Sequence, residues 1–501
     1  MKSFQSRILV SAVLFCFFSA CVSQRYISPQ EITPEIQKNK ILIQQKDGSL
    51  IEMRSPTIAG DWIAGIGDGG QKIEVPFSSI QSVQVIKRDY QYPILLAGVL
   101  GVAAFLFIGM ETAPAPPPSE SCPFVYSFDG HHWVLEAEPY GGAFCQALER
   151  AEWIPLDRIK AVDGRYRILI SNELNEAQYT DELKLVVVDH QKGVKIEADA
   201  AGKMHALAAP ESPLRAFDGQ GNDILAEIAA KDHLFWQSPL SGPAEFPQDG
   251  RDELVFEFSK PLGARQAKLQ VNAWTTPWGA AAAGDFLALY GDGLRDFYAD
   301  VNRFGPAYHR VTSWFMDEEL YLLKMLVETR DGWEAKGLIY GGGPYIAKDK
   351  AYVIDISDVP GEILRIKLRP PRNFWLFNSL AIDYSTDSQV RIAEVAAVQA
   401  TAPCQAAPSQ LRADDNSYLV LNSKGESVEL TFSPPPREKD RDRTVFLKAK
   451  GYYDIHLDAG GKPRWDVIDR IYDEPGFCVR LANERYRMMI QNARQALHPL
   501  K

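Results

Sequence analysis

Apolar and polar residues alternate with a period of two in many short stretches of the chain after residue 120. In 166–170, 254–258 and 364–368 every second residue is a large apolar one. Successive side chains of a strand point to opposite faces, so this alternation predicts strands with one buried face. Because Gly, Pro, Asp and Asn bound many such stretches, the sequence predicts a β-sandwich over 121–400.

The β pattern is interrupted by a helical insertion, predicted at about 280–330. Apolar and aromatic residues between Phe286 and Val301 recur near helical spacing, although two glycines interrupt the run. A second helical stretch is expected to begin at the acidic run 317–319, because acids are favourable at a helix N-terminus.

The last hundred residues, 401–501, predict a second β domain that closes with a C-terminal helix. Alternation at 428–432 and the apolar stretch 444–457 indicate strands. The helix is indicated by residues that share one face at helical spacing: Ala482, Tyr486, Met489, Ile490, Ala493 and Leu497.

A small β module is predicted at 40–88, ahead of the larger domains. Two short apolar stretches flank the turn sequence 46–49, which carries Asp-Gly, and a glycine-rich turn follows at 65–70. The ending 75–85 reads as strand, tight turn and strand. These features resemble SH3-like and Sm-like small barrels, a fold that serves many functions and implies none.

The start of the chain has the layout of a secretory signal. Lys2 and Arg7 precede an apolar run, and the small residues Ser19 and Ala20 precede Cys21. The segment resembles the lipobox of bacterial lipoproteins, which implies a signal peptide over 1–20 and lipidation of Cys21. An ordinary signal, with Cys21 unmodified, is the alternative. The following residues, 21–39, are predicted to be a tether.

One hydrophobic helix is predicted at 93–110, followed by a proline-rich linker at 111–120. The 17 residues 93–109 carry no charge and would span roughly 26 Å as a helix. That is slightly short of a bilayer core of about 30 Å. Basic flanking residues place its start in the cytoplasm, whereas the lipobox places it outside. We expect an extracytoplasmic C-terminal region in the cell envelope; the alternative is a cytoplasmic one, if 93–110 spans as a transmembrane helix.

Net charge limits the binding partners to be expected, and the cysteine content indicates possible disulfides. The 501 residues carry a net charge of −11, which disfavours nucleic acid because no counterions would be released on binding. Excluding Cys16 in the signal and Cys21, the even number of remaining cysteines allows disulfides in an exported chain. The candidates, with Cys122–Cys145 and Cys404–Cys478 as suggested pairs, are Cys122, Cys145, Cys404 and Cys478.

The sequence contains few residue patterns that indicate a catalytic, metal-binding or ligand-binding site. His131 and His132 lie beside Asp129, but neighbouring strand residues face opposite ways, so a hairpin turn is favoured over a metal site. The glycine run 341–343 lacks the helix of a phosphate loop, so a turn is favoured there too. Five tryptophans cluster around the insertion and are expected to fill a core rather than bind sugar rings. No catalytic residue, metal or cofactor is therefore predicted.

Five stretches together resemble a scattered group of uncharacterised bacterial envelope lipoproteins. They are 121–130 (SCPFVYSFDG), 138–143 (EPYGGA), 179–185 (YTDELKL), 374–376 (FWL) and 451–453 (GYY). The resemblance implies a membrane-anchored envelope protein and no activity. We therefore expect a non-catalytic binding or scaffolding lipoprotein with a protein or glycan partner. A carbohydrate-binding or glycan-active β-sandwich is the second hypothesis and a metal-dependent hydrolase the third.

Overall fold

The computed structural model describes nine parts of the chain: 23–27, 40–45, 50–60, 62–66, 71–87, 123–239, 249–401, 404–457 and 460–497. They divide into two compact units, one formed by 1–115 with 488–501 and the other by 116–487. The protein is mainly β with a few helices, as the sequence predicts.

The predicted signal peptide, the predicted hydrophobic helix at 93–110 and the predicted linker at 111–120 lie outside the described residues. Within the described ranges, no helix is both long and apolar enough to cross a membrane.

The first unit contains a nearly closed, barrel-like antiparallel sheet, which confirms the predicted small module. Its order is β1-β6-β2-β3-β4-β5. The core of this barrel consists of Ile41, Ile43, Met53, Ile63, Val75 and Ile80. A Cβ at Gly65 would overlap Met53, so this strand position requires glycine. The strands are β1 (Ser23–Ile27), β2 (Lys40–Gln45), β3 (Leu50–Ala59), β4 (Trp62–Ile66), β5 (Lys72–Pro76) and β6 (Ile80–Lys87).

Part of the predicted tether is instead a strand of this barrel. β1 pairs with β6 over its whole length, from Ser23 opposite Lys87 to Ile27 opposite Val83. The partner strand β6 lies about sixty residues further along the chain, so the local composition of 21–39 could not indicate this pairing.

A nine-stranded antiparallel sheet dominates the second unit. Its order is β8-β7-β10-β25-β23-β11-β26-β9, with β24 also paired to β11. The strands are β7 (Phe124–Phe128), β8 (Trp133–Ala137), β9 (Arg150–Pro155), β10 (Tyr166–Ser171), β11 (Glu176–His190), β23 (Arg391–Ala400), β24 (Leu419–Leu421), β25 (Ser427–Phe432) and β26 (Asp442–Ile455).

This sheet crosses the domain boundary predicted at residue 400. β25 pairs with β10, and β26 pairs with β11 along 14 residue pairs from Glu176–Ile455 to His190–Asp442. Strands that look like a separate C-terminal block in the sequence therefore complete a sheet begun before residue 200. Alternating burial reveals which residues face the core, but it does not reveal which strand lies alongside.

Two further sheets and a hairpin are formed by the part of the sequence between β11 and β23, the early and late strands of the large sheet. Their orders are β14-β16-β21-β18-β19 and β15-β22-β17-β20, with β12 and β13 forming the hairpin. The strands are β12 (Lys195–Ala198), β13 (Met204–Leu207), β14 (Arg215–Asp218), β15 (Trp236–Gln237), β16 (Leu254–Ser259), β17 (Gln266–Thr275), β18 (Leu322–Thr329), β19 (Gly332–Tyr340), β20 (Lys348–Asp355), β21 (Ile363–Leu368) and β22 (Trp375–Asp383).

The helical insertion and the C-terminal helix are present. The helices are α1 (Leu225–Ile228), α2 (Pro277–Ala288), α3 (Leu294–Asn302), α4 (Pro306–Glu318), α5 (Ala407–Gln410), α6 (Trp465–Asp473) and α7 (Phe477–Leu497). The expected helix beginning at 317–319 was wrong: those acids end α4, where Glu319 adopts φ 56°, and β18 follows. The alternate burial along β18 fits the period of a strand rather than that of a helix.

The hairpin β12–β13 joins the large sheet to the four-stranded sheet through two unlike faces. Ile196, Ala198, Met204 and Ala206 pack with residues of β11 and β26 in one apolar cluster. Burying one large side chain of this kind contributes roughly 1.5–3 kcal/mol. The residues between them in sequence belong to the opposite face, where hydrogen bonds and ion pairs reach β17 and β20.

Candidate functional site

The predicted cysteines that the structure describes do not pair with one another. Cys21 and Cys122 lie outside the described residues. Cys145, Cys404 and Cys478 are free thiols, so no predicted disulfide forms among the described residues. Burial raises the pKa of Cys145 to about 12 and that of Cys478 further still, which leaves both as inert thiols near neutral pH.

The two neighbouring histidines lie in the predicted hairpin turn. The backbone N–H groups of His131 and His132 both donate to Asp129 Oδ1 at 2.7 Å, which is the hydrogen-bond pattern of an Asx turn. The carboxylate of Asp129 therefore serves the turn. In the part of the chain that the structure describes, no group of three or more His, Cys, Asp or Glu residues is arranged to hold a metal ion.

The aromatic residues of the insertion fill a core, as predicted for most of the tryptophans. Trp274, Trp278, Trp314 and Trp375 are buried, whereas Trp333 is half-buried beneath the Lys367 ammonium at 4.3 Å. Helices α2, α3, α4 and α6, together with the segment between α2 and α3, contribute an interlocked set of rings with centroids 4.2–6.0 Å apart: Phe286, Tyr290, Phe297, Trp314 and Tyr472.

Several of the resembling stretches meet at one closely packed joint. Gly142 N–H donates to the Tyr453 hydroxyl at 2.7 Å. The Glu138 carboxylate accepts from the N–H groups of Tyr345 and Ile346 at 2.8 and 2.6 Å. A Cβ at Gly343 would overlap Glu138. The glycine run 341–343 thus allows close packing against a carboxylate, and a second anion there would be repelled.

A second, partly buried cluster, the ionic layer, lies under the polar face of β12–β13. Lys195 contacts Glu197 at 2.8 Å and Asp349 at 3.0 Å, and Lys231 contacts Asp349 at 2.8 Å. The layer consists of Lys195, Lys231, Lys268 and His205 with Glu197, Asp199, Asp349, Asp383 and Asp387.

His205 and Lys268 occupy the other end of the ionic layer. His205 Nε2 lies 2.9 Å from Asp199 and Nδ1 lies 3.2 Å from Asp387. Each ring nitrogen of His205 therefore lies within hydrogen-bonding distance of a carboxylate. Lys268 lies 3.3 Å from both Asp383 and Asp387. The near balance of positive and negative groups marks this layer as structural.

The candidate functional site is a group of three tyrosines, the tyrosine cluster: Tyr179, Tyr418 and Tyr452. Tyr179 and Tyr452 are direct cross-strand partners on β11 and β26, and their rings stack with centroids 4.6 Å apart at 5°. Tyr418, just before β24, meets both edge-on at 6.0 and 5.5 Å. Tyr452 is buried, whereas Tyr179 and Tyr418 remain partly exposed.

Carboxylates surround the tyrosine cluster in excess of cations. The Lys450 ammonium lies 3.2 Å from Glu149 and 3.4 Å from Asp181, and it also contacts Asp414. Burial alone would lower the pKa of Lys450, but the bonds to Asp414 and Glu149 outweigh it and raise the pKa. Burial, and the neighbouring Asp414, raise the pKa of Asp181.

Asp454 is the other carboxylate at the cluster. Because side chains alternate along a strand, Lys450, Tyr452 and Asp454 share one face of β26, and Tyr179 lies across from Tyr452. The Asp454 carboxylate is partly buried and has no hydrogen-bond or ion-pair partner among the described residues. Burial raises its pKa to about 6. An ionised carboxylate without a partner is costly to fold, which makes it a candidate for ligand binding.

Sequence reasoning missed this site. Tyr179 and Tyr452 lie within stretches singled out by resemblance, but Tyr418 does not. The alternation at 450, 452 and 454 was a usable signal that these side chains share a face. No protein-family model matches the chain, and no curated protein matches it, so the site itself is the basis for any functional conclusion.

Proposed function

We propose that this chain is a non-catalytic, membrane-anchored lipoprotein of the cell envelope that binds or scaffolds a partner outside the cytoplasm. The anchoring part rests on the sequence alone: a basic start, an apolar run and small residues before Cys21. Two or more acyl chains at such a cysteine would give stable membrane attachment.

The tyrosine cluster is the observation that supports the proposed binding function. Tyr179 reaches solvent from β11, and Tyr418 reaches solvent from the residue just before β24, so paired backbone fixes or adjoins both positions. Tyrosine supplies rigid, amphipathic contact area at low entropic cost, which is why it is enriched in binding surfaces.

The filled insertion favours this function over the glycan-active alternative. That alternative predicts an open cleft of aromatics and carboxylates at 280–330, whereas the aromatic rings there pack on one another. Tyrosine rings and carboxylates also suit sugars, so sugar binding at the tyrosine cluster is the competing function to be tested on the same surface.

Two experiments test the proposal in cells. Cys21→Ser should abolish incorporation of a fatty-acid label and release the protein from membranes; unchanged labelling contradicts the anchor. A photo-crosslinking residue at Tyr418 should yield a discrete crosslinked product that is lost with Asp454→Asn. The matched control is the same crosslinker at Leu262, which is 93% exposed on a turn. Equal products at both positions would contradict binding at the tyrosine cluster.

A further inference from the structure

We infer that the tyrosine cluster binds a cationic side chain, a guanidinium or ammonium group, presented by a partner polypeptide. The inference rests on the proposed binding function and specifies its ligand. Three independent features carry it: the charge around the rings, the unpartnered carboxylate of Asp454, and the partly exposed faces of the tyrosines.

The local charge is strongly negative. Glu149, Asp181, Asp414 and Asp454 supply four carboxylates; Lys450 contacts the first three, and Lys448 helps to lower the pKa of Asp414. Lys450 is already shared among the first three of these groups. A cationic side chain entering here would meet uncompensated negative charge, which steers binding and favours a basic partner over an acidic one.

Asp454 gives that cation a specific place to bind. It lies two residues from Tyr452 on the same face of β26, and it lacks a protein partner among the residues the structure describes. The other ionisable groups near it are Tyr179, Tyr298, Tyr452 and Cys145. None of these supplies a positive charge. A guanidinium or ammonium hydrogen would therefore make the hydrogen bond that Asp454 lacks.

The rings make an organic cation preferable to a metal ion. Tyr179 and Tyr418 are partly exposed and present π-electron density beside carboxylates, Tyr179 near Asp454 and Tyr418 near Glu149 and Asp181. A guanidinium or ammonium gains from such rings through cation–π contact, whereas a hard divalent ion requires several oxygen ligands around it. Arg is well suited, since its planar head can stack on a ring while donating to a carboxylate.

Binding is tested with the full-length protein in detergent and an acetylated, amidated hexa-arginine peptide, by titration calorimetry. Hexaglutamate, maltose and calcium chloride are the comparison ligands. We expect the peptide alone to bind. Because Asp454 must be ionised, affinity should fall as the pH drops through about 6.

Two variants and a matched control locate the site. Asp454→Asn should weaken peptide binding about tenfold, the size of a lost charge-assisted hydrogen bond. Tyr179→Leu, which keeps an apolar side chain without the ring, should weaken it about fivefold. Asp440→Asn makes the same charge change beyond the other end of β26, where the side chain is 78% exposed and φ is 63°. It should leave affinity unchanged.

Each other outcome overturns the inference. Equal losses in Asp454→Asn and Asp440→Asn would mean general attraction to an acidic protein. Binding of maltose but not the peptide would replace the cation with a sugar while leaving the binding function standing. If no ligand binds, or if calcium alone binds, the cationic ligand is excluded. Misfolding of Asp454→Asn is monitored by its melting temperature, which should rise by about 2 °C as an uncompensated charge is removed.

Discussion

The ionic layer and the surroundings of the tyrosine cluster both combine lysine side chains with carboxylates, yet they differ in the balance of positive and negative groups. In the layer, Lys195, Lys231 and Lys268 each contact carboxylates that are almost fully buried. At the tyrosine cluster, one lysine serves several carboxylates and Asp454 has no partner among the described residues. A charge-balanced network around buried carboxylates suits a structural role, whereas an unbalanced one at the surface is suited to binding a ligand.

Lys268→Met should have the largest effect, because it breaks the balance of the ionic layer. It leaves Asp383, which is fully buried, without its ammonium partner. We expect the free energy of unfolding to fall by roughly 3 kcal/mol, measured by urea denaturation. Lys192→Met is the control, since Lys192 is 63% exposed and lies 3.8 Å from Asp440. A loss of similar size in both variants would show that the layer contributes no more than a surface pair.

Glu197→Gln should show how much stability the ionic layer loses when Glu197 ionises beside the carboxylate of Asp349. Burial, and the neighbouring Asp349, raise the pKa of Glu197 to about 7. A carboxyl group whose pKa is higher in the folded protein stabilises the fold most when it is protonated, below its unfolded pKa of about 4.5. For Glu197, this stabilisation is lost as the pH rises from there through about 7. Lys195, Asp157 and Gln270 are the other groups facing it.

The variant carries no charge at this position, so it lacks that loss. Relative to the wild type, the free energy of unfolding of Glu197→Gln should increase by about 1–3 kcal/mol between pH 4 and pH 8. Urea denaturation at several pH values measures the difference. A difference that is constant with pH would mean that Glu197 titrates alike in the folded and unfolded states.

Asp454→Asn applies the same test to the tyrosine cluster, with a smaller expected effect because Asp454 is less buried than Glu197. Its raised pKa means that the wild type loses stability as the pH rises from about 4 through about 6. After allowance for solvent screening, the variant should be more stable by about 1 kcal/mol at pH 7 and equal to the wild type at pH 3.5. Destabilisation at pH 7 would indicate a structural role for Asp454.

Tyr179→Phe should have the smallest effect. The Tyr179 hydroxyl has no hydrogen-bond partner among the described residues, while its ring stacks on Tyr452 at 4.6 Å. Removing the hydroxyl should change the free energy of unfolding by less than about 0.5 kcal/mol and leave hexa-arginine affinity within twofold. A large loss of affinity would assign binding to the hydroxyl rather than to the ring.

The sequence by itself determined the local β structure of the protein. Alternation at 254–258 and 364–368 predicts strands, and the structure pairs Leu254 with Leu368 and Phe256 with Ile366 in the buried layer. The insertion and the C-terminal helix were likewise predictable, because helical periodicity is a property of neighbouring residues.

Only the tertiary structure decided which strands lie side by side and which side chains meet. Residues 179, 418 and 452 come together because β11 pairs with both β24 and β26 across more than two hundred residues of sequence. The same pairing makes one sheet extend across the domain boundary that was expected at residue 400. Register depends on long-range contacts, and a shift of one residue would send Tyr452 and Asp454 to the opposite face.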